Sequence, residues 1–550
     1  MKRLATATLA ALLTILVGSA AAAVINVPGD YAQIHDAVQA TEAGDTVVVA
    51  AGTYTDCTHE TEGPGTTPAC VIMKPGVTLQ GAGSDLTIID AGGLGRGIYV
   101  DDTDDVRIEN LQVRGAYAEI YGAGILIREG STGAEVVDCV IRDTGDGGIV
   151  VIQNAEATIT NVQFLDNVAK QGGGLAVEET STAVISNCLF DNNTAPTGAG
   201  MFVRASCTVT ITGTTFTNND IDAANGNGGG VCVQDSQCDI SGCDFIGNTT
   251  QGSGGGLAYL SGATGTVEDC LISGNSTIEA YNYGGGISCQ SSAPTFRNLV
   301  IVNNTATSAE SNGGGIDVQF TPSPLIENCT IVGNACSAEE DAAGGIFVQW
   351  FATPTISNCI IASSTAGAGI ICDDFSPDAV FTGCDIWNNA GGDAIPGIDG
   401  GCNFSADPLF CNVADNNYRI AANSPCSAGN HPDGGDCGTT HVGVYDDGCG
   451  TAVDGLPGAS LVLGNMPNPF NPMTTMFFVL DAPGDVVIRI HDVRGHMLRT
   501  FSRNGLAADT RHEITWNGRD EAGRELPSGV YLYQLESNGS TISKRMSLIR

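Results

Sequence analysis

Basic residues are scarce in this sequence of 550 residues, which has 22 Lys and Arg against 61 Asp and Glu and a formal net charge of −39. The deficit lies in one part of the chain. Residues 24–459 contain 10 basic and 52 acidic residues, a net charge of −42, whereas residues 460–550 contain 10 and 9, a net charge of +1. A body with this charge repels nucleic acid and acidic glycans. We therefore exclude nucleic acid as a partner, and expect the charge to serve solubility or to attract calcium or cationic surfaces.

Histidine is missing from most of the chain. The seven His lie at positions 35, 59, 431, 441, 491, 496 and 512, so none falls between residues 71 and 420. This excludes a Ser-His-Asp triad and a His-rich metal site in that stretch. The sequence also lacks His-Glu-x-x-His, the phosphate-binding loop motif and Cys-x-x-Cys. Zinc proteases, P-loop enzymes and zinc-ribbon or thioredoxin-type sites are therefore not supported.

Long apolar runs are absent beyond the first 23 residues. Lys2 and Arg3 precede the apolar run Leu9–Val17, and small residues follow at 18–23. This pattern predicts a secretory signal peptide over residues 1–23. No later stretch is long and apolar enough to span a membrane. We therefore expect an exported protein, secreted or held at the cell surface, without a transmembrane segment.

One short pattern occurs ten times. A strand ends in Asn-Cys-x-Ile, an Asn follows, and then comes Gly-Gly-Gly-apolar-x-apolar, as in residues 187–203 and 328–348. Aligned on the Cys position, the copies lie at 139, 162, 188, 214, 243, 270, 299, 329, 359 and 384. This period predicts stacked coils of about three short strands each, which bury a core only against their neighbours.

The repeat predicts two columns along the stack. Seven of the 20 Cys share the aligned position: Cys139, Cys188, Cys243, Cys270, Cys329, Cys359 and Cys384. Stacked residues lie ~4.8 Å apart with parallel Cβ directions, which suits a disulfide poorly. We therefore predict that these Cys are reduced and buried. The better disulfide candidates are Cys57 with Cys70, Cys402 with Cys411, and two of Cys426, Cys437 and Cys449.

The second column is formed by Asn five positions after the Cys position. It is present in eight copies: Asn167, Asn193, Asn219, Asn248, Asn275, Asn304, Asn334 and Asn389. Asn tolerates a left-handed backbone, which suits a sharp bend, and stacked amides can form hydrogen bonds along a ladder.

Together these features resemble right-handed parallel β-helix proteins, the pectate-lyase-like group and the repeats of polymorphic outer-membrane proteins. The resemblance covers about residues 24–425, and Val27-Pro28-Gly29-Asp30-Tyr31 through Gly52-Thr53-Tyr54 is similar to the capping segment of that group. Residues 31–43 have the helical spacing of such a cap. The resemblance implies an all-β protein, with a right-handed parallel β-helix and its N-terminal cap over residues 24–450. That fold occurs in lyases, hydrolases, adhesins and inert stalks alike, so it does not assign an activity.

After a predicted linker at 451–460, the pattern changes to longer strands over 461–550, predicted at 474–480, 485–491, 497–501, 511–516, 529–536 and 541–549. We expect a small immunoglobulin-like β-sandwich. Asn468-Pro469-Phe470-Asn471-Pro472, Asp492-Val493-Arg494-Gly495, Trp516-Asn517-Gly518 and Pro527-Ser528-Gly529-Val530-Tyr531 resemble two families. These are the immunoglobulin-like domain of flagellar hook-capping proteins and the C-terminal sorting domain of the type IX secretion pathway. The resemblance implies a role in secretion or anchoring, with the secretion machinery as partner.

An outward row of residues is the candidate ligand site. The fourth residue after each glycine triplet should point outward, and this row includes Gln290, Gln319 and Gln349, with the aromatic residues Phe320, Phe347 and Trp350 beside it. Amide ladders flanked by aromatic rings suit sugar binding through stacking and hydrogen bonds. The alternative is that Gln simply stacks well on a parallel sheet.

Two further sets of charged residues were weighed. Asp373 and Asp374 are a candidate calcium site, with solvated turns as the alternative. Glu178 and Arg204 occupy the same row on neighbouring coils and should form a surface salt bridge.

The scarcity of bases decides between two hypotheses for function. A polysaccharide lyase of this fold needs an Arg or Lys base beside a carboxylate-bound calcium, and residues 71–420 contain two Lys and eight Arg. We therefore favour a non-catalytic bacterial adhesin or glycan-binding stalk, secreted or at the cell surface. The alternative is a calcium-dependent polysaccharide lyase or another carbohydrate-active enzyme.

Overall fold

The computed structural model describes residues 22–61, 67–117, 124–278, 283–307, 312–337, 342–413, 417–435, 437, 441–444, 461–466, 473–480, 484–492, 496–506, 512–527, 529–537 and 540–548. Nearly all of the predicted signal peptide, the linker at 451–460, the motif at 468–472 and Cys449 lie outside the described residues. In the part of the chain described, no helix is both long enough and apolar enough to cross a membrane.

The chain winds through three parallel sheets in turn, and each regular coil gives one strand to each sheet. The first sheet has fifteen strands: Val24–Val27, Thr46–Val49, Thr78–Gly81, Arg107–Glu109, Ala134–Val137, Glu156–Thr160, Thr182–Ser186, Thr208–Thr212, Gln237–Ser241, Thr266–Glu268, Thr295–Arg297, Leu325–Glu327, Thr355–Ser357, Val380–Thr382 and Ile398–Asp399. The second has thirteen: Gly52–Tyr54, Thr87–Asp90, Gln112–Arg114, Val140–Arg142, Gln163–Leu165, Leu189–Asp191, Thr215–Thr217, Asp244–Ile246, Leu271–Ser273, Val300–Val302, Thr330–Val332, Ile360–Ala362 and Asp385–Trp387.

The third sheet, which carries the candidate site, has twelve strands: Ala69–Ile72, Arg96–Asp101, Ile125–Arg128, Ile149–Val151, Leu175–Val177, Met201–Arg204, Val231–Gln234, Leu257–Leu260, Ile287–Gln290, Ile316–Gln319, Ala343–Gln349 and Ala368–Cys372. A four-stranded sheet of two-residue strands follows the second sheet in the later coils: Thr249–Thr250, Ser276–Thr277, Thr305–Ala306 and Ala335–Cys336. The N-terminal helix, Ile34–Gln39, is shorter than the predicted cap, and it buries Ile34, Ala37 and Val38 as the spacing predicted.

The core runs the length of the stack because side chains alternate between the two faces of each strand. In the second sheet the inward position holds a continuous stack of rings. Phe164, Phe190, Phe216 and Phe245 are fully buried, and successive ring centroids lie 4.3, 4.6 and 5.0 Å apart. Each coil therefore buries apolar surface chiefly against the coils on either side of it, as the repeat predicts.

The asparagine column forms a buried hydrogen-bonded ladder from Asn167 to Asn334. Each amide nitrogen donates to the amide oxygen of the next coil; Asn193 Nδ2, for example, lies 2.9 Å from Asn219 Oδ1. The same nitrogen donates to the Phe164 carbonyl of an earlier coil at 3.0 Å. The predicted ladder is confirmed, but the predicted backbone reason is wrong. Positive φ falls on the residue before each ladder Asn, such as Asn192 at φ 55°.

The glycine triplets turn the chain into the third sheet. The first glycine of a triplet takes a positive φ, as Gly254 does at 71°. The third glycine is needed for close approach, because a Cβ on Gly200 would lie 2.4 Å from the carbonyl oxygen of Gly230. A side chain at either position would therefore strain the turn.

All seven cysteines of the column are free and buried, which confirms that prediction. Their thiols donate to backbone carbonyls, as Cys188 Sγ does to Ser186 O at 3.3 Å. Burial raises the pKa of Cys188 to about 12, because a thiolate there would lose its hydration.

The predicted disulfide between Cys57 and Cys70 is present, but the pairing proposed for Cys402 is wrong. Cys402 bonds to Cys437, not to Cys411. The reason is that His431 Nε2 lies 2.9 Å from the Cys402 carbonyl, which brings the following segment alongside Cys402. Cys411 is itself disulfide-bonded, whereas Cys426 is a free thiol.

The segment after the last coil folds back over the second sheet. Strands Phe410–Asn412 and Asn417–Ile420 form an antiparallel pair, and Tyr418, Ile420 and Val442 bury an outward row of the second sheet that includes Val332. This segment therefore covers one side of the stack in addition to its end.

The tail contains two antiparallel sheets that share one core. One sheet comprises Leu461–Met466, Thr474–Leu480 and His512–Trp516; the other comprises Met497–Leu506, Gly484–Asp492, Gly529–Ser537 and Ser540–Leu548. Trp516 from the first sheet and Tyr533 from the second are both buried in that core. All six predicted strands are present, and Leu461–Met466 was not predicted. The tail is therefore a small β-sandwich, and the protein is all-β as expected.

Candidate functional site

The candidate site is a group of aromatic side chains on the later coils of the third sheet, four of them after a strand and one before it. We call this group the aromatic ledge; it consists of Tyr283, Phe320, Trp350, Phe351 and Phe375. Phe320, Phe351 and Phe375 are 40%, 62% and 60% exposed, and Tyr283 and Trp350 are half-buried. Exposed single apolar residues are common, but several adjoining rings on a turn are not explained by core packing.

The rings of the ledge contact one another in two groups. The Trp350 ring lies 5.2 Å from Phe320 and 5.6 Å from Tyr283, measured between ring centroids. The Phe351 and Phe375 rings lie 5.6 Å apart. Phe320 and Trp350 follow Gln319 and Gln349, which pair directly in the third sheet, so these two rings occupy equivalent positions on consecutive coils.

The backbone under the ledge has the left-handed turn that other coils also have after their third-sheet strand, as at Glu179 with φ 53° and Ala205 with φ 64°. Phe320, Trp350 and Phe351 have φ values of 60°, 53° and 68°. For bulky side chains this left-handed region costs on the order of 1–3 kcal/mol per residue and persists only when neighbouring contacts hold it. The strain is therefore stored where the rings face solvent.

Asp373 supplies two of the contacts that hold the ledge. Its carboxylate accepts a hydrogen bond from the Trp350 backbone N–H at 2.9 Å and another from the Phe375 backbone N–H at 3.1 Å. On the neighbouring coil, Ser323 Oγ donates to the Phe320 carbonyl at 3.1 Å and accepts from the Thr353 N–H at 2.8 Å. The turns are thus tied to one another across coils.

The glutamine row lies beside and partly beneath the ledge. Gln290, Gln319 and Gln349 pair in register on three consecutive strands, and all three point outward as predicted. Gln290 is half-buried, whereas Gln319 and Gln349 are buried. Phe347 also points outward but is buried at 4% exposure. Of the six predicted sugar-binding residues, Phe320, Trp350 and Gln290 therefore retain accessible surface.

A buried carboxyl group explains the position of the two buried amides. Asp317 is completely buried on the outward face, and its oxygens accept hydrogen bonds from Gln319 Nε2 at 2.6 Å and Gln349 Nε2 at 3.0 Å. Burial raises the pKa of Asp317 well above its usual value, and the two amide donors offset only part of this rise. The buried part of the glutamine row therefore satisfies Asp317.

The two candidate calcium residues, Asp373 and Asp374, have different environments. Both oxygens of Asp373 accept backbone N–H groups, and Asp374 is exposed. Across the described ranges, no group of three or more His, Cys, Asp or Glu side chains is arranged to hold a metal ion. Calcium binding at Asp373 and Asp374 stays a prediction.

The Arg–Glu pair on the third sheet forms a salt bridge, as predicted. Arg204 Nε and Nη2 lie 2.8 and 2.7 Å from Glu178 Oε2, and the Arg204 guanidinium also lies 5.7 Å from the centre of the Phe202 ring. Both Arg204 donors to the carboxylate are thus engaged within the protein.

Sequence reasoning missed Tyr283, Phe351 and Phe375. Phe351 directly follows Trp350, and Phe375 lies two residues after Asp373, so both sit just beyond the row that the register predicts. Their direction depends on the turn that follows the strand, and alternation along a strand does not extend through a left-handed turn. The available signal was the concentration of aromatics immediately after the Gln row.

A three-sided stack of parallel strands with an internal asparagine ladder defines a parallel β-solenoid. The sequence model of the family described as "Right handed beta helix region" matches residues 76–245 and 222–350. These ranges together cover residues 76–350, which is 275 of 550, and the chain belongs to this family. No curated protein matches the chain significantly.

Several solved structures are similar to parts of the chain. Dimeric latent PorU from Porphyromonas gingivalis is 25% identical over 18% of this chain and 10% of that chain, with a TM-score of 0.15. The A-module of mannuronan C-5 epimerase AlgE6 from Azotobacter vinelandii is 16% identical over 68% and 93%, with a TM-score of 0.33. The PL6 family alginate lyase AlyGC is 16% identical over 71% and 54%, with a TM-score of 0.37. The match to PorU thus spans about a tenth of that protein, and none of these TM-scores carries an argument about activity.

Proposed function

We propose that this protein is a non-catalytic, extracellular glycan-binding protein that uses the aromatic ledge as its binding surface. The observation that carries the proposal is the exposure of adjoining aromatic rings on consecutive coils. The flat rings match the apolar face of a sugar, and half-buried Gln290 is the amide of the row that keeps accessible surface for its hydroxyls.

The lack of Lys and Arg in the sequence around most of the ledge supports binding without cleavage. The sequence has no Lys or Arg between Arg297 and Arg419, a stretch that includes four of the five ledge residues. Proton abstraction from a sugar ring needs a positioned base of suitable pKa, and carboxylates with amides do not make a lyase of the kind expected for this fold. The ledge is therefore suited to hold a sugar chain but not to cut it.

The extracellular role includes the two ends of the chain. We assign residues 1–23 as a signal peptide and the sandwich, whose strand Ser540–Leu548 includes Lys544 and Arg545, as a sorting or anchoring module read by a secretion machinery. Deletion of residues 461–550 should leave the β-helix folded but retained in the periplasm of its host. Normal delivery of the truncated protein to the surface or medium would refute the sorting role and leave binding unaffected.

The binding proposal is tested with the full-length protein on a glycan array, followed by calorimetry with the best ligand. Phe320→Ala and Trp350→Ala should each weaken binding by about tenfold or more, since a stacked aromatic residue supplies on the order of 1–3 kcal/mol. Tyr117→Ala is the matched control, because Tyr117 is 51% exposed and lies far along the chain from the ledge.

Two results would contradict the proposal. Equal loss of binding in the Tyr117 and Trp350 variants would show that the ledge is not the binding surface. Calcium-dependent release of unsaturated uronates from pectate or alginate by the wild-type protein would instead establish the lyase alternative.

A further inference from the structure

From the charge around the ledge we infer that its ligand is a cationic glycan, a polymer whose sugar units carry protonated amino groups. This inference rests on the proposed function and names the ligand class for that same site. Three observations carry it: the charge of the surrounding sequence, the carboxylates beside the rings, and the direction in which the rings follow one another.

The coils that carry the ledge residues from Phe320 to Phe375 are acidic and contain no Lys or Arg. Residues 298–418 contain 14 Asp and Glu and no Lys or Arg. A surface with this composition has a negative potential, which repels an anionic polymer and concentrates a cationic one. Uronates and sulfated glycans are therefore disfavoured at this site, in contrast to an amino-bearing chain.

Two carboxylates flank the most exposed end of the ledge. Asp374 and Asp378 are exposed and lie on either side of Phe375 in the sequence. Within the described part of the chain neither forms a salt bridge, so both remain available to a ligand. A cation is attracted to an aromatic face as well as to a carboxylate, and the two effects act together when both groups adjoin.

Asp317 does not take part in this recognition. It is completely buried and is satisfied by the amides of Gln319 and Gln349. The carboxylates that a ligand meets are those on the turns, next to the exposed rings. This separates a buried, structural acid from the exposed acids that we assign to binding.

The rings follow the axis of the stack. Phe320 and Trp350 are equivalent residues on consecutive coils, and Phe375 belongs to the coil after them. Neighbouring strands lie ~4.8 Å apart, so a chain that contacts all three rings must run along the axis. The ligand is therefore a polymer of several units, and single sugars should bind much more weakly.

The test compares a cationic, a neutral and an anionic hexamer, of which the first two share one backbone. Full-length protein is titrated by calorimetry, at mildly acidic pH, with a β-1,4-linked glucosamine hexamer, its fully N-acetylated form and a galacturonate hexamer. We expect the glucosamine hexamer to bind about tenfold or more tightly than the acetylated form, with an affinity that falls as salt screens the attraction. The galacturonate hexamer should not bind measurably.

Variants separate site binding from general attraction to an acidic protein. Asp374→Asn with Asp378→Asn should reduce affinity for the glucosamine hexamer and leave any affinity for the acetylated form unchanged. Trp350→Ala should weaken both. Glu156→Gln, which removes an exposed carboxylate from a first-sheet strand, is the matched charge control and should have no effect.

Each outcome is decisive. Equal or tighter binding of the acetylated or galacturonate hexamer overturns the cationic inference while the proposed function stands. Glucosamine binding that survives Trp350→Ala also overturns it, because the attraction would then be non-specific. Failure of every hexamer and of the glycan array to bind would sink the proposed function itself.

Discussion

The outward face of the third sheet is built differently at its two ends. At the N-terminal end, charged groups neutralise one another: the Tyr99 hydroxyl donates to Asp101 Oδ2 at 2.7 Å, and Arg128 Nε lies 3.5 Å from Asp101 Oδ1. Arg96 also lies over the Tyr99 ring at 5.4 Å. Arg96 and Arg128 are both buried. In the later coils the buried acid Asp317 has two amides as its hydrogen-bond partners, and the rings beside it face solvent.

The difference shows how one repeat serves two purposes. Both ends use the same strand register and the same inward core, so the outward row is free to vary without changing the fold. At the N-terminal end the outward groups pair by charge, although Asp101 Oδ1 and Arg128 Nε form no hydrogen bond. Near the C-terminal end the polar groups are satisfied below the surface and the rings remain free above it. Function is therefore expected where the outward row is left incomplete.

On the outward face of the third sheet, the largest effect on stability is expected from removing the ion pair of Arg128 and Asp101. Arg128→Met should lower the free energy of unfolding by about 3 kcal/mol, because it removes a buried guanidinium and leaves the half-buried Asp101 without its cationic partner. Gln349→Met in the later coils should cost only about 1 kcal/mol, since Asp317 keeps its bond from Gln319. Denaturant unfolding of both variants measures the contrast. Equal losses would mean that the two ends are not built differently, and Arg128→Met with Asp101→Asn should recover part of the larger loss.

Acidification should stabilise both ends through buried acids. Burial raises the pKa of Asp146 to about 6, although Lys170 and Arg96 oppose the rise, and it raises the pKa of Asp317 well above its usual value. At these two sites the folded protein therefore binds more protons than the unfolded chain from about pH 4 upward. The free energy of unfolding should fall as pH increases through this window. The stability that these carboxyls contribute is fully present below their pKa in the unfolded chain and is lost above their pKa in the folded protein.

Melting curves between pH 4 and 8 check this dependence. Asp146→Asn should reduce it by about 2–3 kcal/mol, given roughly 1.4 kcal/mol per pKa unit. Asp317→Asn, at the other end of the outward face of the third sheet, should also reduce the pH dependence of stability. Asp374→Asn is the control, because this residue is exposed. If Asp374→Asn reduced the pH dependence as much as the other two variants, the effect would arise from overall charge and not from the buried acids.

A substitution with a smaller effect on the free energy of unfolding should separate backbone strain from ligand binding. Phe320→Gly removes an exposed ring and leaves the φ of 60° to a residue that adopts it freely, so the free energy of unfolding should change by less than about 1 kcal/mol in either direction. Ligand binding should nevertheless be lost. Phe216→Ala, in the buried ring stack, should cost about 3–5 kcal/mol. A Phe320→Gly variant as unstable as Phe216→Ala would make the ledge part of the core.

The smallest expected effect concerns calcium. We expect calcium to raise the melting temperature of the acidic body modestly, by relieving repulsion among its carboxylates or by binding at Asp373 and Asp374. Sodium chloride at matched ionic strength is the control. An equal rise with sodium would show screening alone, whereas a larger rise with calcium that is lost in Asp374→Asn would establish a site.

The sequence allowed the stack to be predicted because its inward positions repeat. Cys188, Asn193 and the glycines after them each have one role that the spacing exposes, and the structure confirms the columns. The turns could not be predicted in the same way. Whether Phe351 points outward depends on a left-handed backbone set by contacts from other coils, and the pairing of Cys402 with Cys437 depends on a segment that folds back. The left-handed turn recurs along the stack, but the side chain that it carries does not repeat, and the bond from Cys402 to Cys437 lies outside the regular coils.

The asparagine ladder also makes the length of the protein adjustable. Each amide bonds only to its immediate neighbours, and every amide from Asn167 to Asn304 donates in the same direction. Removing one whole coil, such as the residues from Asn219 to just before Asn248, would bring Asn193 against Asn248 with the same donor and acceptor. The chain would then be shorter by one strand spacing of ~4.8 Å with its remaining bonds intact. Gain or loss of coils can therefore set how far the ledge lies from the N-terminal cap.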